Sequence, residues 1–198
     1  VSGNQGECEV IHEFKKYGQK HWRYIRNYWA EINGTFERDL IVFTNNSCHN
    51  LEIKNYTGLF EYKSGISTVD GIDYNSDCIF QARRAFKSVR KIVSPQVGFQ
   101  NVKGALIFAG LNNEVKIYSD INDIQIVKRN QLMRFIQKIA EEEKAFRYKQ
   151  VNWAQVIHAL ERFQQSNPYI PDALTIDQAN GLNKGIVCRN WSNFDVEI

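Results

Sequence analysis

Apolar residues near the start of the chain recur at helical spacing. Val10, Ile11 and Phe14 form a stripe that predicts a helix over residues 5–17, with Gly18 just past its end. The pattern then changes. Trp22 to Trp29 is dense in aromatics and Ile, which suits a strand. Asn33-Gly34, a strong hairpin signal, leads into a second strand over 36–44. Asn45-Asn46 makes the next turn, and Cys48 to Lys54 returns as a third strand. Residues 58–74, marked by Gly58, Gly65 and Gly71, read as short strands or loop. An amphipathic helix is predicted from Ser76 to Val93, since Ile79, Ala82, Phe86, Val89 and Val93 share one face, and Pro95 is expected to end it.

The run Lys103 to Ala109 predicts a buried strand between Gly104 and Gly110, with edge strands at Glu114 to Tyr118 and Ile124 to Val127. From Asn130 the pattern is helical. Leu132, Phe135, Ile136 and Ile139 face one way, and Glu141-Glu142-Glu143 is expected to be solvated. A further helix over Trp153 to Gln164 would bury Val156, Ile157, Leu160 and Phe163. The last thirty residues read as irregular structure. This order predicts a mixed α/β fold around one sheet.

A length of 198 residues suits one domain, or one domain with an extension. No run of eighteen apolar residues occurs, so nothing in this stretch is expected to contact a membrane. The chain begins at Val1, which predicts a processed product or an excised piece. Cys8, Cys48, Cys78 and Cys188 are scattered, without CxxC or paired histidines. That argues against zinc and against a disulfide framework, and predicts free thiols in a reducing cytoplasm. The net charge of +3 permits a nucleic-acid partner without demanding one.

The stretch Glu37 to Asn55 carries the candidate chemistry. If Asn45-Asn46 is a two-residue turn, Thr44 faces Ser47, and counting back sets Asp39 opposite Glu52. Side chains alternate along a strand, so Glu52 and Lys54 share one face while Leu51, Ile53, Leu40 and Val42 share the other. Facing carboxylates repel unless a cation lies between them. Carboxylate oxygens suit Mg²⁺ or Mn²⁺, and a nearby lysine can stabilise a hydroxide or a phosphoryl group. Two acids and a lysine around one divalent ion suffice for phosphodiester hydrolysis. The competing reading is a surface salt bridge of Glu52 or Asp39 with Lys54 or Arg38. Ile41, Phe43 and Ile53 mark these strands as interior, where a charge cluster is expensive. Glu7 shares the buried stripe of the first helix, as either a satisfied core acid or a ligand. Glu9 and Glu13 are expected to be solvated.

These motifs resemble the nuclease-related domain, NERD, of the PD-(D/E)XK nuclease superfamily. The resemblance runs from about Gly6 to Ile139. It takes in Gly6-Glu7-Cys8-Glu9-Val10, Asp39-Leu40-Ile41-Val42 and the E-x-K strand Leu51-Glu52-Ile53-Lys54 with the turn to Gly58. Gln81-Ala82-Arg83, the strand Ala105-Leu106-Ile107-Phe108 and the helix at Gln131 to Ile139 follow in order. Leu40 departs from the histidine that many members carry there. The resemblance implies a restriction-endonuclease-like core, a mixed sheet flanked by helices, over residues 1–139. Residues 140–198 would be a helical and irregular C-terminal extension, serving as a cap or a dimer surface. It further implies that Asp39 and Glu52 bind the metal, that Lys54 assists the attacking water, that Glu7 is a helix-borne ligand, and that Gln81 positions substrate or water.

Arg83, Arg84, Lys87, Arg90 and Lys91 lie away from the apolar stripe of the 76–93 helix with no acid among them. They form either a solvated face or a surface for a phosphate backbone. Trp22, Tyr24, Tyr28 and Trp29 could stack bases, although sheet packing is the better expectation. His49 falls on the face away from Glu52 and is not expected to act as a base. The leading expectation is a metal-dependent nuclease acting on DNA, with RNA as the second candidate substrate. The alternatives are a nucleic-acid-binding module that keeps the fold without cutting, and a scaffold or sensor domain.

Overall fold

The structure is a computed structural model that describes residues 2–32, 34–73, 77–111, 113–145 and 151–168. The irregular segment expected over the last thirty residues, with Cys188, lies outside the described residues. So do Asn33 and Ser76. In chain order the elements are α1 (Ser2–Tyr17), β1 (Arg23–Glu31), β2 (Thr35–Phe43), β3 (Cys48–Lys54), β4 (Gly58–Lys63), β5 (Ile66–Val69) and β6 (Ile72–Asp73). Then come α2 (Cys78–Val97), β7 (Val102–Phe108), β8 (Asn113–Ile117), β9 (Gln125–Lys128), α3 (Leu132–Ala145) and α4 (Trp153–Glu161).

The expected mixed sheet is present, in the order β1-β2-β3-β7-β9. β1, β2 and β3 are antiparallel neighbours, and β7 and β9 join in parallel. Along β3 and β7 the side chains alternate cleanly. Cys48, Leu106 and Phe108 face α2 with Ile41 and Phe43. Leu51, Ile53, Ala105 and Ile107 face α1 and α3 with Leu40 and Val42. Both faces of the strands are thus covered, which explains their nearly continuous apolar runs. Each fully buried Leu, Ile or Phe contributes about 1.5–3 kcal/mol.

Beyond the single sheet expected, residues 58–73 and 113–117 build a second one, in the order β6-β5-β4-β8. The parallel pair β3 and β7 continues after a bend as the parallel pair β4 and β8. The two chains cross tightly at the bend, where a Cβ on Gly110 would lie 1.7 Å from the Tyr56 carbonyl oxygen. Only glycine fits there. Phe60, Tyr62 and Val115 of the second sheet join the core under α2.

Alternation fails in one place. Residues of β1 and β2 pair from Arg23↔Phe43 to Arg26↔Leu40 and resume at Tyr28↔Arg38 in the same register, with Asn27 and Asp39 between. Asn27 is left-handed, with φ 49°. This reverses the pleat, so Tyr28, Ala30 and Phe36 pack in the α2-side core although Tyr24, Leu40 and Val42 pack on the other face. Arg38 turns the same way, which brings it to α2.

Several local expectations are corrected. Pro95 lies inside α2 rather than ending it, because its fixed φ is helical and only one hydrogen bond is lost near the terminus. The stop is Gly98, φ 89°, whose amide donates to Ser94. Asp77 caps the other end, accepting from the Ile79 and Phe80 amides. Glu143 is buried rather than solvated. Its carboxylate accepts from His21 Nε2 and Trp22 Nε1, both at 2.8 Å, and from the Asn45 amide at 2.6 Å. It thereby clips the end of α3 to the start of β1 and the β2–β3 turn.

α4 packs on the core through Trp153, Val156 and Leu160, with the Trp153 ring 4.9 Å from that of Phe43. The helix stops at Glu161, short of the expected Gln164. Phe163 is 39% exposed, because its carbonyl leaves the helix to accept from Glu31 of β1. Ile157 is half-buried. Among the described residues no helix is long and apolar enough to cross a membrane.

The reversal at Asn27 is testable. Asn27 is exposed, so its contribution is one of backbone conformation. Asn27→Val should lower stability by about 1–2 kcal/mol, whereas Asn27→Gly should stay within a few tenths of wild type. Urea denaturation midpoints measure both.

Candidate active site

β2 and β3 pair from Phe43↔Cys48 to Leu40↔Leu51. One step further, Asp39 and Glu52 fall opposite each other in the same register, and the strands part. Asp39 Oδ2 accepts the Ile53 amide at 2.6 Å, which an unbroken ladder would give to the main chain of β2. The parting opens a cavity of about 440 Å³. Glu7 of α1, Glu37 and Asp39 of β2, Glu52 and Lys54 of β3, and Gln81 and Arg84 of α2 all line it. Trp29, Phe36 and Tyr56 supply its aromatic wall.

The G-E-x-x-V stretch of α1 acquires a physical meaning here. A Cβ on Gly6 would lie 2.8 Å from Asn55 Cβ, so glycine lets the helix pass closely over the end of β3. Glu7 then reaches the cavity, and Val10 is fully buried one turn later. Glu9 is not simply solvated as expected. It ion-pairs with Arg129, which also donates to the Ala109 carbonyl at 2.9 Å and so fixes α1 against the end of β7.

Asp39 and Glu52 are 8% and 6% exposed. Both Glu52 oxygens are engaged: Oε1 with Lys54 Nζ at 2.8 Å, and Oε2 with Arg38 Nη1 at 2.6 Å. Burial raises the Asp39 pKa well above the ordinary value, and the charges of Glu52 and Glu7 push it further. Burial raises Glu7 as well. Glu37 keeps contact with solvent, yet the protein around its carboxylate and the charges of Glu7 and Glu52 lift its pKa to about 7. For Lys54, burial works to lower the pKa, but the charge and hydrogen bond of Glu52 and the charge of Asp39 prevail and raise it. Lys54 therefore stays protonated.

Among the described residues no three His, Cys, Asp or Glu side chains converge closely enough to hold a metal by themselves. The donor set nevertheless fits a hard divalent cation in kind. Mg²⁺ is usually held by one or two carboxylates, with water and substrate phosphate completing its shell. Asp39 and Glu52 supply two, and carboxylates crowded enough to raise one another's pKa values favour a cation between them.

The sequence profile of the nuclease-related domain (NERD) family matches residues 2–109, more than half of the chain. The chain belongs to the nuclease-related domain family. Its wider context is the PD-(D/E)XK nuclease superfamily, and the mixed α/β architecture with two mixed sheets flanked by helices agrees with a restriction-endonuclease-like core. No curated protein sequence matches the chain. Among solved structures, the crystal structure of protein VC1899 from Vibrio cholerae is similar at 10% identity and a TM-score of 0.32, covering 70% of this chain and 32% of that one. The chain thus spans about a third of that protein's length.

The family match ends at Ala109, so β9 and α3, which complete the sheet and its cover, lie beyond it. Of the five cations on α2, only Arg84 lines the cavity, where it donates to the Thr35 carbonyl at 2.7 Å. An acid does stand among them in space. Asp123 pairs with Arg83 at 2.8 Å and lies 4.0 Å from Lys87. Arg90 stacks on Phe86 and Phe99, and Lys91 is exposed.

Trp22, Tyr24 and Tyr28 are core residues, whereas Trp29 borders the cavity. His49 is buried on the opposite face against Ser47, and burial lowers its pKa to about 3, so it stays neutral. Sequence reasoning missed Glu37, which stands two residues before Asp39. It named Arg38 only as a surface partner.

Glu37 gives this NERD domain a measurable pH signature. Between about pH 4.5 and pH 7 the folded chain keeps a proton on Glu37 that the unfolded chain has released. Stability therefore falls as pH rises through that window. Glu37→Gln should flatten the decline in metal-free buffer, read as the urea midpoint against pH.

Proposed function

We propose that this chain is a divalent-metal-dependent nuclease that hydrolyses phosphodiester bonds of DNA at the cavity between β2 and β3. The observation that carries the reading is the meeting of Asp39, Glu52 and Lys54 with Glu7 in one pocket of a nuclease-related domain. Asp39 and Glu52 would hold Mg²⁺ or Mn²⁺, with Glu7 reaching the ion through water. The ion would neutralise phosphoryl charge and acidify the attacking water. Lys54 stays protonated, so it stabilises negative charge on the attacking or phosphoryl oxygen and accepts no proton. The proton of the water goes to a carboxylate of raised pKa, and Glu37 at about 7 suits that task best. Attack at phosphorus forms the new P–O bond as the bond to the leaving oxygen breaks, and that oxygen takes up a proton from bulk water. Gln81 and Arg84 at the rim orient the strand. The exposed cations of α2 contact phosphates, with RNA the second candidate substrate.

The nuclease unit is assigned to residues 1–139, and the part of 140–198 that contains α4 acts as a cover for the sheet. Cys48 and Cys78, buried and free of disulfides, favour the cytoplasmic setting.

A second reading, a nucleic-acid-binding module without cleavage, is favoured by the engagement of both Glu52 oxygens with Lys54 and Arg38. Incubation of plasmid and linear DNA with Mg²⁺ or Mn²⁺ separates the two. Wild type should cut, chelation should stop it, and Asp39→Ala and Lys54→Ala should each lose about 100-fold or more. Equal product from wild type and both variants rejects the catalytic assignment, and salt-dependent binding with no product selects the second reading.

A further inference from the structure

The two cations on Glu52 differ in kind. Lys54 has a flexible stem, and its side chain is 22% exposed, so it can leave Oε1. Arg38 is 1% exposed and held from two sides, by Glu52 Oε2 at 2.6 Å and by the Ala82 carbonyl of α2 at 3.3 Å. Its third donor, Nε, is buried and has no partner among the described residues. A buried guanidinium with an unmet donor is costly to keep, and taking it off Oε2 would leave it more exposed to that cost. Oε2 is therefore the harder oxygen to free, while Oε1 can exchange a lysine for another cation.

We infer that Arg38 is a positioning residue that reserves Glu52 Oε2, so that Glu52 offers a divalent ion one oxygen, Oε1, and binds it more weakly than an unpaired carboxylate would. The inference rests on the metal-dependent reading above.

Mn²⁺ titration of the purified chain without DNA, followed by the paramagnetic resonance of free Mn²⁺, tests it independently of cleavage. Wild type should bind Mn²⁺ measurably. Arg38→Met, its fold checked by circular dichroism, should bind Mn²⁺ about tenfold or more tightly, since a positive charge beside the ligand is gone. Arg38→Lys should stay near wild type. A general structural defect would weaken binding instead, so tightening is diagnostic. A tenfold or greater change in Arg38→Lys, which keeps a positive charge beside Oε2, overturns the inference alone, even where the methionine variant does not fold. Unchanged or weaker affinity in a folded Arg38→Met chain does the same. No Mn²⁺ on wild type or either variant overturns the metal reading and this inference with it.

Discussion

The site depends on one substituted hydrogen bond. At the end of the β2–β3 ladder the Ile53 amide goes to a side-chain carboxylate, Asp39 Oδ2, instead of to the facing main chain. A buried amide must have a partner, and Asp39 supplies it while the strands part. The parting gives the cavity its volume, and the bond that permits it fixes one of the two acids. Everything else is arranged around the gap. α1 closes it from one face, brought near by Gly6 and held by the Glu9–Arg129 ion pair. α2 closes it from the other through Gln81 and Arg84.

Much of this was legible because strand register is a matter of counting. Asn45-Asn46 reads as a two-residue turn, and the Thr44 amide does donate to Ser47 at 3.0 Å, so Asp39 falls opposite Glu52 as expected. The apolar stripes of α1, α2 and α3 were likewise readable at helical spacing. What escaped depends on contacts between distant segments. Alternation along β2 predicts that Arg38 points away from Asp39's face. It is the left-handed Asn27 on the neighbouring strand that turns Arg38 toward Glu52 and α2. Glu143 looks solvated within a triple-glutamate run, and only the arrival of Trp22, His21 and the Asn45 amide makes its burial affordable. The second sheet follows from a bend where two glycine-bearing segments cross, a feature that no single strand announces.

The charge balance of the cavity argues for division of labour among its acids. Four carboxylates, Glu7, Glu37, Asp39 and Glu52, face two closely held cations, Arg38 and Lys54. Glu52 takes both cations. Burial above all, with the negative charge of Glu52 adding to it, makes Asp39, Glu7 and Glu37 harder to ionise than ordinary carboxyls. On the metal-dependent reading, a divalent ion would offset that cost where the acids are deepest, beside Asp39. Glu37, nearer to solvent, has least to gain from it and can keep exchanging a proton near neutral pH. Lys54 cannot share that task, because Glu52 and Asp39 keep it charged. The same burial and crowding thus set apart a deeply buried acid, Asp39, an acid that titrates near neutral pH, Glu37, and a fixed positive charge, Lys54, within one pocket.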